Sequence, residues 1–78
     1  MQLDIVSPDS KIFSGEVSYA QFPGTEGSFG ILNDHAPMIS TLKEGQIKIK
    51  DTQEKEQLFD INGGVVEVLN NRVIVLAE

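Results

Sequence analysis

The sequence predicts an all-β fold, a small β-sandwich or flattened barrel of about eight to ten short strands. Three observations carry that expectation. Short segments alternate apolar and polar residues with a period of two. Gly, Asn and Ser-Pro punctuation recurs between them at close spacing. No window carries apolar residues at i, i+3, i+4 and i+7 over a useful length.

Taken in order, Leu3-Asp4-Ile5-Val6 reads as a first strand, closed by the turn chemistry of Ser7-Pro8-Asp9-Ser10. Lys11-Ile12-Phe13 is a short extended piece ahead of Ser14-Gly15. Across residues 16–22, Val17 and Tyr19 fall on one face, and Ser18, Ala20 and Phe22 on the other. Apolar groups on both faces predict a strand covered on two sides or one bearing a partner-facing surface.

Residues 23–37 read as a kinked, presenting loop around which the chain is organised. They hold two of the three prolines, three of the seven glycines and the only histidine. Gly24, Gly27, Gly30 and Pro37 are expected to shape this loop, and Phe29, Ile31 and Leu32 to anchor it. Pro37 biases Ala36 away from helix, so Met38-Ile39-Ser40-Thr41-Leu42 continues as extended chain.

Lys43-Glu44-Gly45 is a turn. Gln46-Ile47-Lys48-Ile49-Lys50 is the cleanest period-two segment, with Ile47 and Ile49 inward. Residues 51–57 form an all-polar hairpin tip, expected to be solvated and mobile. A strand resumes at Leu58 and runs to Ile61, and Asn62-Gly63-Gly64 reads as a bulge or turn. Val65-Val66-Glu67-Val68-Leu69 and Arg72-Val73-Ile74-Val75-Leu76 flank Asn70-Asn71, whose tolerance of positive φ predicts a tight hairpin. Nothing divides residues 1–78, so one domain is expected.

Composition bounds the function. The net charge of −6 disfavours nucleic acid and anionic membrane surfaces, which attract clustered Lys and Arg. No apolar run approaches the roughly 18–20 residues that span a bilayer, and no basic-then-apolar leader opens the chain, so a soluble cytoplasmic (or equivalent organelle) location and no membrane insertion are expected. Without cysteine there is no disulfide, and a partner surface is the available way to add stability to so short a chain.

Catalytic and cofactor chemistry finds little support. The glycines of residues 23–37 lack the Lys-Ser or Lys-Thr that completes a phosphate loop, since Ile31-Leu32 follows Gly30. Asp34, His35 and Ser28 invite a hydrolase reading, but neighbours in extended chain point to opposite faces, so Asp34 does not orient His35. His35 beside Ala-Pro fits a loop anchor better. One histidine and no cysteine make thin support for a metal site. No cofactor, metal or catalytic residue is expected, and the loop of residues 23–37 is left to structural or protein-contact work.

The pattern resembles the epsilon subunit of the rotary F-type ATP synthase, specifically its N-terminal β-sandwich domain. The resemblance covers nearly the whole chain. It runs from Leu3-Asp4-Ile5-Val6-Ser7 through Phe13-Ser14-Gly15, Pro23-Gly24, Glu26-Gly27, Gly30-Ile31-Leu32 and His35-Ala36-Pro37. Leu42-Lys43-Glu44-Gly45, Gly63-Gly64-Val65-Val66-Glu67-Val68 and Val73-Ile74-Val75-Leu76-Ala77 complete it. Gly-Ile-Leu followed two residues later by His-Ala-Pro is its most specific part.

The resemblance implies a non-catalytic rotor part that packs on the gamma subunit, rests a loop on the ring of c subunits, and couples proton flow to ATP synthesis. It implies a peripheral position at the cytoplasmic face of the bacterial inner membrane, or the organelle equivalent. Glu26, Ser28, Asn33, Asp34 and His35 are the implied ring contacts. Ser7, Met38, Ile39 and Ser40 are the implied gamma contacts, with core packing as the competing role for Met38 and Ile39. The family often carries an acid where Ser28 stands, and Asp34 is the candidate replacement charge. Family members usually continue into a two-helix hairpin that in many cases binds ATP. No such hairpin lies within residues 1–78, so no ATP binding is expected of them. The alternative from another class is a small carrier domain of the lipoyl or biotinyl type, with Lys55 as the nearest candidate for modification.

Overall fold

The computed structural model describes residues 1–78 and contains eight strands and no helix. They are β1 (Gln2–Val6), β2 (Lys11–Gly24), β3 (Gly27–Leu32), β4 (Met38–Leu42), β5 (Gly45–Asp51), β6 (Glu56–Ile61), β7 (Gly64–Leu69) and β8 (Arg72–Ala77). The strand order is β1-β8-β7-β4-β2-β5-β6, with β3 also on β2 and β1 pairing β2 as well. The path β2-β1-β8-β7-β4 therefore returns to β2 and closes a flattened barrel. All pairings are antiparallel except β1 with β8.

The β7–β8 hairpin turns on Asn70 and Asn71 at φ 52° and 61°, the two positive values that a two-residue turn of right-handed twist requires. Ile47 and Ile49 are fully buried, as their alternation predicts. With Leu3, Ile5, Phe22, Ile31, Val66, Val68, Val73 and Val75 they fill the interior. Phe29 tilts against Phe22 at 5.7 Å between ring centroids, a favourable aromatic geometry.

Four features depart from the sequence expectation. Most of residues 23–37 is not a loop. Gly27–Leu32 is β3, paired with β2 from Tyr19↔Leu32 to Gly24↔Gly27, and only Thr25-Glu26 turns between them. Two of the glycines serve close packing within strands. A Cβ on Gly24 would lie 2.5 Å from the Gly27 carbonyl oxygen, and one on Gly30 would lie 2.5 Å from the Tyr19 hydroxyl. Leu32 is not an anchor, because its side chain faces outward and is exposed.

The second departure is at Ser14-Gly15, which does not interrupt β2. β1 pairs straight across it, with Leu3 opposite Gly15, and the Ser14 hydroxyl donates to Asp4 Oδ1 at 2.6 Å. Third, Val17, Ala20 and Phe22 all enter the one interior. A bulge at Ser18 shifts the alternation by one residue, so Val17 opposes Asp51 and Tyr19 opposes Lys50. The Ser18 hydroxyl occupies the bulge and bonds the Lys50 and Asp51 carbonyls at 3.3 and 3.1 Å. Fourth, the hairpin tip is shorter than residues 51–57 and tied down: the Asp51 carboxylate accepts the backbone N–H groups of Gln53 and Lys55 at 2.8 and 3.0 Å.

Candidate docking face and strand ends

The outer face of β4-β7-β8 is the main unpaired apolar surface of the molecule. Period two places Val66 and Val68, and Val73 and Val75, in the core. The intervening positions of both strands then face outward, and Val65, Leu69, Ile74 and Leu76 are apolar there. Ile39 of β4 joins them and is the most exposed of the group, at 71 %. The strand register sets Ile39 beside Glu67 and Glu67 beside Ile74, and Thr41 beside Val65 and Val65 beside Leu76. A sheet face that meets only water is mostly polar, whereas this one is apolar at Ile39, Val65, Leu69, Ile74 and Leu76 and broken only by Thr41, Glu67 and Arg72, the composition of a contact surface.

The four residues implied as gamma contacts separate here. Ile39 projects into the face, which excludes a core role for it. Met38 and Ser40 belong to the other side of β4; Met38 packs against the core and Ser40 is half-buried. Ser7 lies past the end of β1, and its hydroxyl is engaged with Ser10 in the turn, accepting the Ser10 N–H at 3.2 Å. The face was missed at Val65, Ile74 and Leu76. Its signal is present in the unbroken apolar run of β8 and in the run of β7 that only Glu67 interrupts, since period two cannot place either on a single buried side.

The five residues implied as ring contacts also separate. β3 has six residues, so at about 3.3 Å each some 20 Å lies between Glu26 before it and Asn33-Asp34 after it. Glu26 and Ser28 belong to one end and are exposed. Thr25, next to Glu26, is strapped to β4: its N–H donates to the Thr41 carbonyl at 3.1 Å, and the two hydroxyls meet at 2.8 Å. Lys43 N–H donates to the Pro23 carbonyl at 2.8 Å and completes the strap.

Asn33, Asp34 and His35 lie at the other end, beside the Asn70-Asn71 turn. Asn33 does not face a partner freely, because its Oδ1 accepts from the Met1 ammonium at 2.6 Å. Asp34 takes φ 61° and gives its backbone N–H to Asn71 Oδ1 at 2.8 Å, which leaves its carboxylate outward. The His35 ring Nδ1 lies 2.8 Å from the neighbouring Ala36 carbonyl, so it ties only its own segment. Ser28 and His35 are thus held at opposite ends of β3, which does not bring them together for hydrolytic chemistry.

The molecule is a β-barrel closed through a bulged hub strand, with a largely apolar outer face on β4-β7-β8 and a strapped turn that carries Glu26. Residues 1–78 match the family model described as ATP synthase, Delta/Epsilon chain, beta-sandwich domain, and the chain belongs to that family. The chain is 42 % identical over 78 residues to the ATP synthase epsilon chain of Caulobacter vibrioides, covering 100 % of itself and 90 % of that protein. It is also 42 % identical over 77 residues to the epsilon chain of Dichelobacter nodosus, spanning 54 % of its length.

Two solved structures share the fold. One is from the mitochondrial ATP synthase of Euglena gracilis, with a TM-score of 0.90 at 23 % identity, covering 96 % of this chain and 48 % of that one. The other is from the central stalk and c-ring of the Tetrahymena thermophila mitochondrial enzyme, with a TM-score of 0.82 at 20 % identity, covering 99 % of this chain and 62 % of that one. The family match displaces the carrier-domain alternative.

Proposed function

We propose that residues 1–78 act as one non-catalytic unit of the central rotor of a proton-translocating ATP synthase. The outer face of β4-β7-β8 packs on the gamma subunit, and the end bearing Glu26 and Ser28 rests on the polar loops of the c-ring. Together these contacts couple proton flow to ATP synthesis from a peripheral position on the membrane. The observation that carries the reading is the exposed apolar face centred on Ile39, on a fold shared with epsilon chains.

The ring contact is assigned to the Glu26 end for a physical reason. Glu26, on a turn held rigid by Thr41 and Lys43, and Ser28, the second residue of β3, have side chains free of intramolecular bonds. At the opposite end the Asn33 amide is already committed. Exposed ionic contacts contribute about 0–1 kcal/mol each and are screened by salt, so ring binding is expected to be weak by itself and secondary to the gamma contact.

The test is a titration of the wild-type chain and its variants against the gamma-containing head and against membranes carrying the c-ring. Ile39→Asp is expected to abolish gamma binding without unfolding the chain. At low salt, Glu26→Gln is expected to weaken membrane binding while Asp34→Asn does not. Full gamma affinity in Ile39→Asp defeats the docking reading. An effect of Asp34 in place of Glu26 reverses the orientation.

A further inference from the structure

Glu67 occupies an unusual position within the apolar face. Its cross-strand neighbours are Ile39 on β4 and Ile74 on β8, and its same-face neighbours along β7 are Val65 and Leu69. Glu67 is exposed and takes part in none of the molecule's four ion pairs. The next acid in that row, Asp4, is engaged by the Ser14 hydroxyl at 2.6 Å and by Arg72 at 3.9 Å. A carboxylate whose four nearest strand neighbours are apolar is solvated only while the face is open; Arg72, on the same side of β8 opposite Leu69, is engaged by Asp4 and not by Glu67. Whatever covers Ile39, Val65, Ile74 and Leu69 also strips water from Glu67, and a charge buried without a counter-charge opposes binding strongly.

From this arrangement we infer that Glu67 is the orienting charge of the docking face, met by a Lys or Arg that the partner presents within an otherwise apolar surface. The inference rests on the reading of this face as the gamma-subunit contact, and names the partner's chemistry there. The apolar neighbours exclude water from the pair and strengthen it relative to an exposed ion pair. They also make the charge selective. A wholly apolar partner leaves Glu67 unpaired, and a second copy of this chain set face to face about a twofold axis through Glu67 brings two carboxylates together. The face thus admits a cation-bearing partner and disfavours both self-pairing and non-specific apolar contact.

The experiment measures the affinity of the chain for the gamma-containing head at low and moderate salt. It compares wild type, Glu67→Gln, Glu67→Lys and Ile39→Asp, with melting temperatures recorded for each. Because Glu67 is exposed and unpaired, the Gln and Lys variants should melt with the wild type. Glu67→Gln is expected to weaken binding by about tenfold and Glu67→Lys by more than about a hundredfold, the range for a charge desolvated at an interface. The affinity of Glu67→Gln should also depend less on salt than that of wild type. Wild-type affinity and salt dependence in both Glu67 variants, with binding lost in Ile39→Asp, overturns the inference and leaves the docking reading intact. Wild-type affinity in Ile39→Asp overturns both.

Discussion

Thr25 and Thr41 are joined twice across the barrel seam, by a backbone N–H to carbonyl bond of 3.1 Å and by a hydroxyl pair at 2.8 Å. The residues are distant in sequence, and their junction fixes the turn that carries Glu26 against the end of β4. A Thr41→Val substitution keeps the shape and deletes the hydroxyl partner. It is expected to lower stability by about 1 kcal/mol, the usual scale for one hydrogen bond, as read from the midpoint of a urea unfolding curve.

Gly24 and Gly30 should respond differently to a methyl group. The Cβ of Gly24→Ala would meet the Gly27 backbone carbonyl, which cannot move without breaking the turn. A loss of about 2 kcal/mol is expected, within the range for overpacking. The atoms nearest the Cβ of Gly30→Ala would be those of the Tyr19 ring and hydroxyl, a side chain that can move. Its penalty should be smaller and should largely disappear in a Tyr19→Ala background, a coupling that a double-mutant cycle in urea measures.

Asn71 is expected to matter more than His35 at the Asp34 end. Asn71 holds φ 61° and its side-chain oxygen accepts the Asp34 N–H. Asn71→Ala loses that bond and places alanine in a left-handed conformation, for a total of about 1–3 kcal/mol. The exposed His35 ring bonds only the next residue's carbonyl, so His35→Ala should fall within about 0.5 kcal/mol of wild type. Thermal melts of the two variants side by side test the order.

Replacing Glu67 should also unmask self-association. Glu67→Ile converts the centre of the outer face to an unbroken apolar surface. Sedimentation velocity over a concentration series is expected to show dimers for this variant at concentrations where the wild type remains monomeric, and the dimers should disperse when Ile39→Asp is added.

Much of this architecture was legible in the sequence, for local reasons. Ile47 and Ile49 declared β5 because its neighbours are polar and period two is unambiguous there. Asn70-Asn71 declared its hairpin because few residues accept two successive positive φ values. β3 was hidden because its glycines read as loop residues. Gly24 and Gly30 answer to the bulk of Phe29 and Tyr19 against them, which a sequence scan does not bring together. The Ser18 bulge was hidden likewise, since only its pairing with β5 reveals the extra residue.

The candidate site was legible at Ile39 and scattered elsewhere. Ile39 is named by the family resemblance alone, with core packing as its competing role, and it projects outward. Met38 and Ser40 are its sequence neighbours, but strand geometry sends them to the opposite side. Glu26 and Asp34 looked close in a loop and are separated once that segment is drawn out as a strand. The Val65, Ile74 and Leu76 surface depended on three strands lying side by side, which is a property of the register.

β2 gives the molecule a mechanical character. Its fourteen residues pair with β1, β3, β4 and β5, so one continuous backbone runs from the Ser7-Ser10 turn to the strapped turn before Glu26. A push or twist delivered at that turn loads several hydrogen-bond ladders along their length at once. They yield together or not at all, unlike a hairpin peeled open bond by bond. The chain should therefore resist twisting as a stiff strut, with compliance confined to β3 and β6, the two strands that have a single strand partner each. Native-state hydrogen exchange checks this: amides in the central part of β2 should exchange through global unfolding, and those on the outer side of β6 well before it.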